Sequence, residues 1–272
     1  DDIKREAIWK IRKGLYPTIG SLRKSGESVI TEDIAVDYTN ISSAVNELKN
    51  IFIKRNFDDS VIFGHAKDGN LHFVTSVDFN SQKGINNYGL LMSDLAEMTL
   101  QKFNGSLKAE HGTGRNMAPF VESEWGGEIY KLMWNLKESV DPNNILNPDV
   151  LLSKKQNIHL TNIKKIPLVS PLIDDCVECG FCETVCPSRG LTFTPRQRIG
   201  IMREINNLKL TKTEKDIFNY GVNDTCATDG LCSVECPVNI DTGNFIKEIR
   251  QSKNASKVFN KIFIEHFKWI II

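Results

Sequence analysis

Residues 176 to 187 read Cys176-Val-Glu-Cys179-Gly-Phe-Cys182-Glu-Thr-Val-Cys186-Pro187, a C-x2-C-x2-C-x3-C-P run. Three thiolates so closely spaced can wrap one iron–sulfur cubane from a single tight loop, while the fourth, set further on and followed by proline, points toward a second cluster. That geometry calls for a partner run. One is present: Cys226-Ala-Thr-Asp229-Gly-Leu-Cys232-Ser-Val-Glu-Cys236-Pro237 repeats the spacing with aspartate in place of the second cysteine, and all 7 cysteines fall in these two runs. Zinc ribbons use two separated C-x2-C pairs instead. With the cross-ligation of two-cluster ferredoxins, a [4Fe-4S] cluster takes Cys176, Cys179, Cys182 and Cys236, and the second takes Cys226, Cys232 and Cys186 with Asp229 at the empty corner. A carboxylate holds iron less tightly than thiolate. Either Asp229 ligates a labile fourth iron of a [4Fe-4S] cluster, or the corner is vacant and the cluster is [3Fe-4S].

A second constellation involves histidine. Val61-Ile-Phe-Gly-His65 and Leu71-His72-Phe-Val-Thr-Ser-Val77 read as strands around Lys67-Asp68-Gly69-Asn70. Asp-Gly is the preferred centre of a two-residue type I′ turn, which would pair His65 directly with His72, their Cβ atoms about 5 Å apart on one face. With Glu110 they make a two-histidine, one-carboxylate set for a divalent metal (zinc, manganese or iron), with positions left open for substrate. His111, on the other face if its segment is extended, is then free as a general base. A packed histidine pair is the alternative.

The elements that must position these groups follow from periodicity. Residues 29–36 read as a strand, and 41–55 as a helix with Asn40 at its cap. After the hairpin come a helix over 88–103, a short strand from Ser106 delivering Glu110 and His111 into a glycine-rich turn, and a helix over 128–140 stopped by Asp141-Pro142. This is an α+β order with an antiparallel sheet. The expected organisation is a first domain over 1–152, a polar linker over 153–173, an all-α helical two-cluster ferredoxin domain over 174–256, and a truncated amphipathic helix over 257–272. In the second domain Thr194-Pro195-Arg196-Gln197 is a capping box that starts a helix to about 207, a short helix spans 213–220, and another begins near Asp241.

The totals exclude some classes. Thirty-four basic and 34 acidic residues cancel, leaving no electrostatic footprint for nucleic acid. No long uncharged window suggests a transmembrane helix or a signal peptide. Cysteines committed to clusters point to a reducing compartment, so the expected place is the cytoplasm, free or peripheral at the inner face of the membrane. A start at Asp1 without methionine and a close on Trp269-Ile-Ile-Ile272 suggest a piece of a longer polypeptide.

Gly64-His65-Ala-Lys-Asp68-Gly69-Asn70-Leu-His72, Glu110-His111-Gly112-Thr-Gly114 and Asp141-Pro142 through Leu146-Asn147-Pro148 resemble the C-terminal substrate domain of the FAD-linked 2-hydroxyacid dehydrogenases. This vanillyl-alcohol-oxidase-like group includes D-lactate and D-2-hydroxyglutarate dehydrogenases and the glycolate oxidase flavin subunit. Continuity into the cysteine runs and Thr194-Pro-Arg-Gln-Arg198 is similar to the large members that fuse flavin and iron–sulfur parts. The resemblance implies that a metal on His65, His72 and Glu110 grips the hydroxyl and carboxylate of a D-2-hydroxy acid. It further implies that His111 removes the hydroxyl proton while the Cα hydrogen leaves as hydride to FAD. Arg12 matches an arginine that anchors the substrate carboxylate, and Asn147 a residue near the flavin ring.

Two departures stand out: Lys67 replaces a glycine of many relatives, and Val74 replaces a polar residue that contacts substrate in some. Nothing in residues 1–60 resembles the flavin-gripping domain, which the resemblance places upstream as a missing part of the same polypeptide. Electrons would pass from FAD to the clusters, then to a quinone or carrier protein. Rival readings are a non-catalytic electron-transfer or docking module and an iron–sulfur subunit of a separate flavoprotein.

Overall fold

Alternation along the strands sorts their side chains onto two faces, and one of those faces is greasy enough to need cover. The computed structural model describes residues 2–205 and 210–253. The expected helix over 257–272 and the end of the one expected to reach 207 lie outside them. The chain divides into two compact units, Gly26–Ile166 and Asp1–Ser25 with Pro167–Ile272. Helix α1 (Asp2–Ser21) opens the chain and belongs to the second. The helix runs through Pro17 at the cost of one backbone hydrogen bond.

In the unit Gly26–Ile166, strands β1 (Ser28–Ala35), β2 (Val61–His65) and β3 (Asn70–Val77) form an antiparallel sheet in the order β1-β3-β2. Opposed residues share a face, so the register Ile34↔Leu71↔Gly64 and Glu32↔Phe73↔Ile62 marks one side. Ile34, Leu71 and Phe73 are buried there in one core with Leu48 and Phe52 of α2 (Ile41–Lys54) and Leu91 and Leu95 of α3 (Gln82–Glu97). Phe52 meets Phe73 edge to face, ring centroids 5.2 Å apart. Arg55, just past α2, forks onto Asp94 of α3 at 2.7 and 2.9 Å and ties the two helices together. The opposite face carries the row Asp33↔His72↔Phe63. Helix α4 (Val121–Trp125) and α5 (Gly127–Val140) complete the unit's regular elements.

Two local expectations are corrected. Asn40 stands at the N-cap of α2 but makes no side-chain capping bond; Asp37 instead caps the single turn before it, accepting from Thr39 N–H at 2.9 Å. Helix α3 starts at Gln82 rather than 88, because Ser81 accepts the Gly84 N–H.

The second unit holds α6 (Pro195–Glu204), α7 (Lys212–Asn219), α8 (Leu231–Glu235) and α9 (Thr242–Lys253). The capping box at Thr194 and Gln197 forms as expected, and Thr211 with Glu214 makes another. Ile173, Ile199, Val222, Ile240, Phe245 and Ile246 form its core. The result is an α+β unit with an antiparallel sheet and a helical unit carrying both cysteine runs. Among the described residues no helix is long and apolar enough to cross a membrane.

Candidate functional site

The hairpin departs from the two-residue turn that Asp-Gly predicts. Ala66–Asp68 form a 3-10 turn, Gly69 follows in the left-handed region at φ 70°, and the pairing is His65↔Asn70 and Phe63↔His72. The cause lies outside the hairpin: Val36 N–H donates to Gly69 O at 2.9 Å, and a Cβ on Gly69 would lie 1.9 Å from Val36 O. The chain leaving β1 therefore packs on the turn and holds the wider loop. The slip is by two residues, and side-chain direction alternates with period two, so His65 and His72 remain on one face. They become diagonal neighbours, with ring centroids 5.5 Å apart and nearly perpendicular.

Glu110 reaches both. Its Oε1 lies 3.2 Å from His65 Nε2 and its Oε2 3.4 Å from His72 Nε2. His72 is 3 % exposed, and its Nε2 is buried with no hydrogen-bond partner despite the nearby carboxylate. Burial, then the neighbouring His111, hold the His72 imidazole below its usual pKa against the pull of Glu110 and Asp33. The ring is thus kept neutral, with a bare lone pair available. The ligand atoms of His65, His72 and Glu110 all lie within 4.8 Å of one another. Two imidazoles and a carboxylate, with the orphaned buried Nε2 of His72 among the donors, fit a divalent ion.

The segment after Ser106 is not a strand; a single bridge, Ala35↔Ser106, joins it to β1. What shapes it is Asp33, fully buried on β1. Its Oδ2 accepts the backbone N–H groups of Ala109 (3.1 Å), Glu110 (2.5 Å) and His111 (3.3 Å). The loop curls around that carboxylate, then turns back through Gly112 and Gly114 at φ 69° and 58°. Asp33 Oδ1 lies 3.6 Å from His111 Nδ1 and 3.5 Å from Lys108 Nζ, and Lys108 also pairs with Glu32. Asp33, His72 and His111 form a second set of metal-ligating types; three N–H groups occupy Asp33 Oδ2, while its Oδ1 is buried without a hydrogen-bond partner. Sequence reasoning missed Asp33. The signal was an acidic pair, Glu32-Asp33, in the middle of an apolar strand.

The other expected residues are spread more widely. His111 sits beside His72, ring centroids 4.9 Å apart. Arg12 lies on α1 in the other unit, its guanidinium over the Trp9 ring at 5.2 Å from the centroid. Asn147 is exposed in a left-handed turn at φ 49°, its carbonyl accepting Val150 N–H. Lys67 is exposed on the hairpin turn, and Val74 is buried between Thr31 and Val61.

In the second unit the two runs share a backbone design. Glu178 and Gly180 are left-handed around Cys179, and Thr228 and Gly230 are left-handed around Asp229. Asp229 therefore occupies the place of Cys179 in the repeat, and both are exposed. Cys176, Cys179, Cys182 and Cys236 line one cavity, while Cys186, Cys226, Cys232 and Asp229 line another. These are the two groupings that cross-ligation predicts. Arginines clamp each loop: Arg203 donates to Cys176 O (2.9 Å) and Asp174 O (3.2 Å), and Arg250 to Cys226 O (2.8 Å) and Asp224 O (3.4 Å). Helix α1 adds Pro17 to the first cavity and Arg23, which donates to Asp174 O at 2.7 Å. Burial raises the Cys176, Cys179 and Cys232 thiols, and burial with its cysteine neighbours pushes Cys182 up to about 12. Such thiols need a bound cation to become thiolates, so the donor sets fit iron–sulfur clusters.

Comparison with known proteins matches both parts of the chain to known domains. Residues 1–151 match the C-terminal domain of FAD linked oxidases, and residues 172–240 match a 4Fe-4S dicluster domain. The chain is 31 % identical over 150 residues to the glycolate oxidase subunit GlcD of Bacillus subtilis, covering 55 % of this chain and 31 % of the relative. It is 28 % identical over 156 residues to a probable mitochondrial D-lactate dehydrogenase of Danio rerio, covering 57 % and 31 %. Against the D-2-hydroxyglutarate dehydrogenase of Xanthomonas citri pv. viticola it is 29 % identical over 152 residues, covering 55 % and 31 %. The chain thus spans about a third of the length of these relatives. With more than half of its residues in the first match, the chain belongs to the FAD-linked oxidase family through that C-terminal domain and carries a 4Fe-4S dicluster domain behind it.

Proposed function

We propose that the chain is the substrate-binding and electron-exit portion of a flavin- and iron–sulfur-dependent dehydrogenase that oxidises a D-2-hydroxy acid of the lactate, 2-hydroxyglutarate or glycolate class to the 2-oxo acid. The observation that carries this reading is the buried, unbonded His72 Nε2 facing Glu110 beside His65. A zinc, manganese or iron ion on these three residues would act as a Lewis acid toward the hydroxyl and carboxylate of the substrate. His111, whose Nδ1 lies 3.6 Å from Asp33 Oδ1, would take the hydroxyl proton, and the Asp33 carboxylate would stabilise the imidazolium that results. Loss of that proton and of the Cα hydrogen with its electron pair turns the alcohol into the 2-oxo acid.

FAD, which an upstream part of the same polypeptide would hold, would supply the two-electron acceptor; a chain spanning a third of its relatives' length is consistent with such a part. Clusters held by the two cysteine sets would pass these electrons on singly toward a quinone or carrier protein, since a cluster accepts one electron at a time. Arg12 as the anchor of the substrate carboxylate and Asn147 as a flavin neighbour belong to the same proposal. An exposed apolar stripe on α5, with Ile129, Leu132, Leu136 and Val140 all uncovered, supports a further part packing against this unit.

The test is an assay of the full-length protein with D- and L-2-hydroxy acids and an artificial electron acceptor, alongside metal analysis. Turnover of D-isomers with one divalent ion per chain is expected. No turnover of any 2-hydroxy acid, or turnover undiminished in a metal-free protein, would sink the reading.

A further inference from the structure

Arg198 is the last residue of the Thr194-Pro-Arg-Gln-Arg segment and is 1 % exposed, the largest fully buried side chain described. Its guanidinium donates to Val222 O (3.0 Å), Ser188 Oγ (3.0 Å), Thr225 Oγ1 (3.4 Å) and Cys186 Sγ (3.7 Å). None of the first three partners is charged. Among the described residues no carboxylate ion-pairs with it, whereas the neighbouring buried Arg203 is neutralised by Glu178 at 3.0 Å and Arg196 by Glu183 at 2.9 Å. A buried cation without an anion is strongly destabilising. The one partner able to carry negative charge is Cys186, in the cavity shared with Cys226, Cys232 and Asp229.

We propose that Arg198 is the buried counter-cation of the second iron–sulfur cluster and holds its reduction potential above that of the first, so that electrons run from the Cys176/Cys179/Cys182/Cys236 cluster to the Cys186/Cys226/Cys232 cluster. The inference rests on the cluster-bearing function proposed above. A positive charge and an N–H directed at a ligand sulfur both favour the reduced, more negative state of a cluster. In the first cradle the buried Arg203 is neutralised by Glu178, and the N–H that Glu178 directs at Cys176 Sγ, at 3.4 Å, is an uncharged backbone group, so no unpaired buried guanidinium donates to a ligand sulfur there among the described residues. In the step itself the first cluster loses one electron and the second gains it; the reduced flavin supplies the first, and the one-electron acceptor drains the second.

The test is a potentiometric titration of the full-length, anaerobically purified protein followed by electron paramagnetic resonance, comparing wild type with Arg198→Gln and Arg198→Lys. Asp229→Cys, which alters only the second cradle, assigns the two signals. Arg198→Gln is expected to weaken reduction of the second cluster at least tenfold, a downward shift of about 59 mV for one electron, with the first unmoved, and Arg198→Lys to retain most of the wild-type value. Loss of the second cluster in Arg198→Gln but not in Arg198→Lys would equally support a charge requirement. Unchanged midpoints in Arg198→Gln, equal shifts of both clusters, or loss of the second cluster in both variants would overturn the proposal. A wild-type protein without iron and sulfide would instead overturn the cluster reading itself.

Discussion

Asp33 and Glu110 sit 77 positions apart in sequence, yet the Glu110 N–H donates to Asp33 Oδ2 at 2.5 Å, and this bond sets where the Glu110 carboxylate meets His65 and His72. A buried anion on a strand thus orients a carboxylate carried by a loop.

Asp33→Ala removes the acceptor of three backbone N–H groups. Metal affinity should fall about 10–100-fold, the usual effect of losing a residue that orients a ligand. Asp33→Asn keeps an oxygen for the loop but loses the charge facing His111, so it should retain more metal affinity than activity. Metal titration and kcat/KM on the two variants check the split.

His72 and His111 neighbour each other but have different proposed roles. His72→Ala should abolish stoichiometric metal, whereas His111→Gln should keep the metal and lower kcat by about 10²–10⁴, the range for a lost general base. Metal content measured beside kcat separates them; metal lost from His111→Gln would contradict the assignment.

Gly69→Ala should perturb the site without touching a ligand. The left-handed conformation costs a non-glycine residue about 1–2 kcal/mol, and the added Cβ would collide with Val36 O. Denaturant unfolding should show the destabilisation, and weaker metal binding should accompany it as His65 shifts against His72.

At the second cluster, Asp229→Cys completes the four-cysteine run in a backbone already shaped like that around Cys179. If the native cluster is [3Fe-4S], iron content should rise by about one atom per chain; if Asp229 already ligates a fourth iron, content stays level and resistance to oxidative loss of iron improves.

Arg55 holds the Asp94 carboxyl below the usual carboxylate range, helped by Lys54 and opposed by partial burial. A folded pKa below the unfolded one stabilises the protein above the unfolded value, about 3.9, and the gain is lost as pH falls through the folded one. Asp94→Asn should therefore be less stable than wild type at pH 7, and the gap should close on acidification below about pH 4. Thermal melts across that range check the sign.

Much was legible because the relevant physics is local. Cysteine spacing within single loops determined which residues can share a cluster. Alternation along residues 71–77 determined that His72 turns away from the Phe73 core, and Thr194 with Gln197 announced the start of α6. The hairpin register was misjudged because the turn is decided by Val36, which lies 33 residues before Gly69 and cannot be read from an Asp-Gly pair. The histidines kept a common face only because the slip was even.

What the sequence by itself determined, then, was the inventory of ligands and the faces on which they stand, since both depend on neighbours a few residues apart. Tertiary structure decided which distant groups complete them. It placed Asp33 beneath Glu110 and His111, grouped the first 25 residues with the cluster-bearing unit, and buried Arg198 beside Cys186 with no carboxylate paired to it among the described residues. Burial and long-range hydrogen bonding set charge and orientation, and neither is encoded in the spacing of residues along the chain.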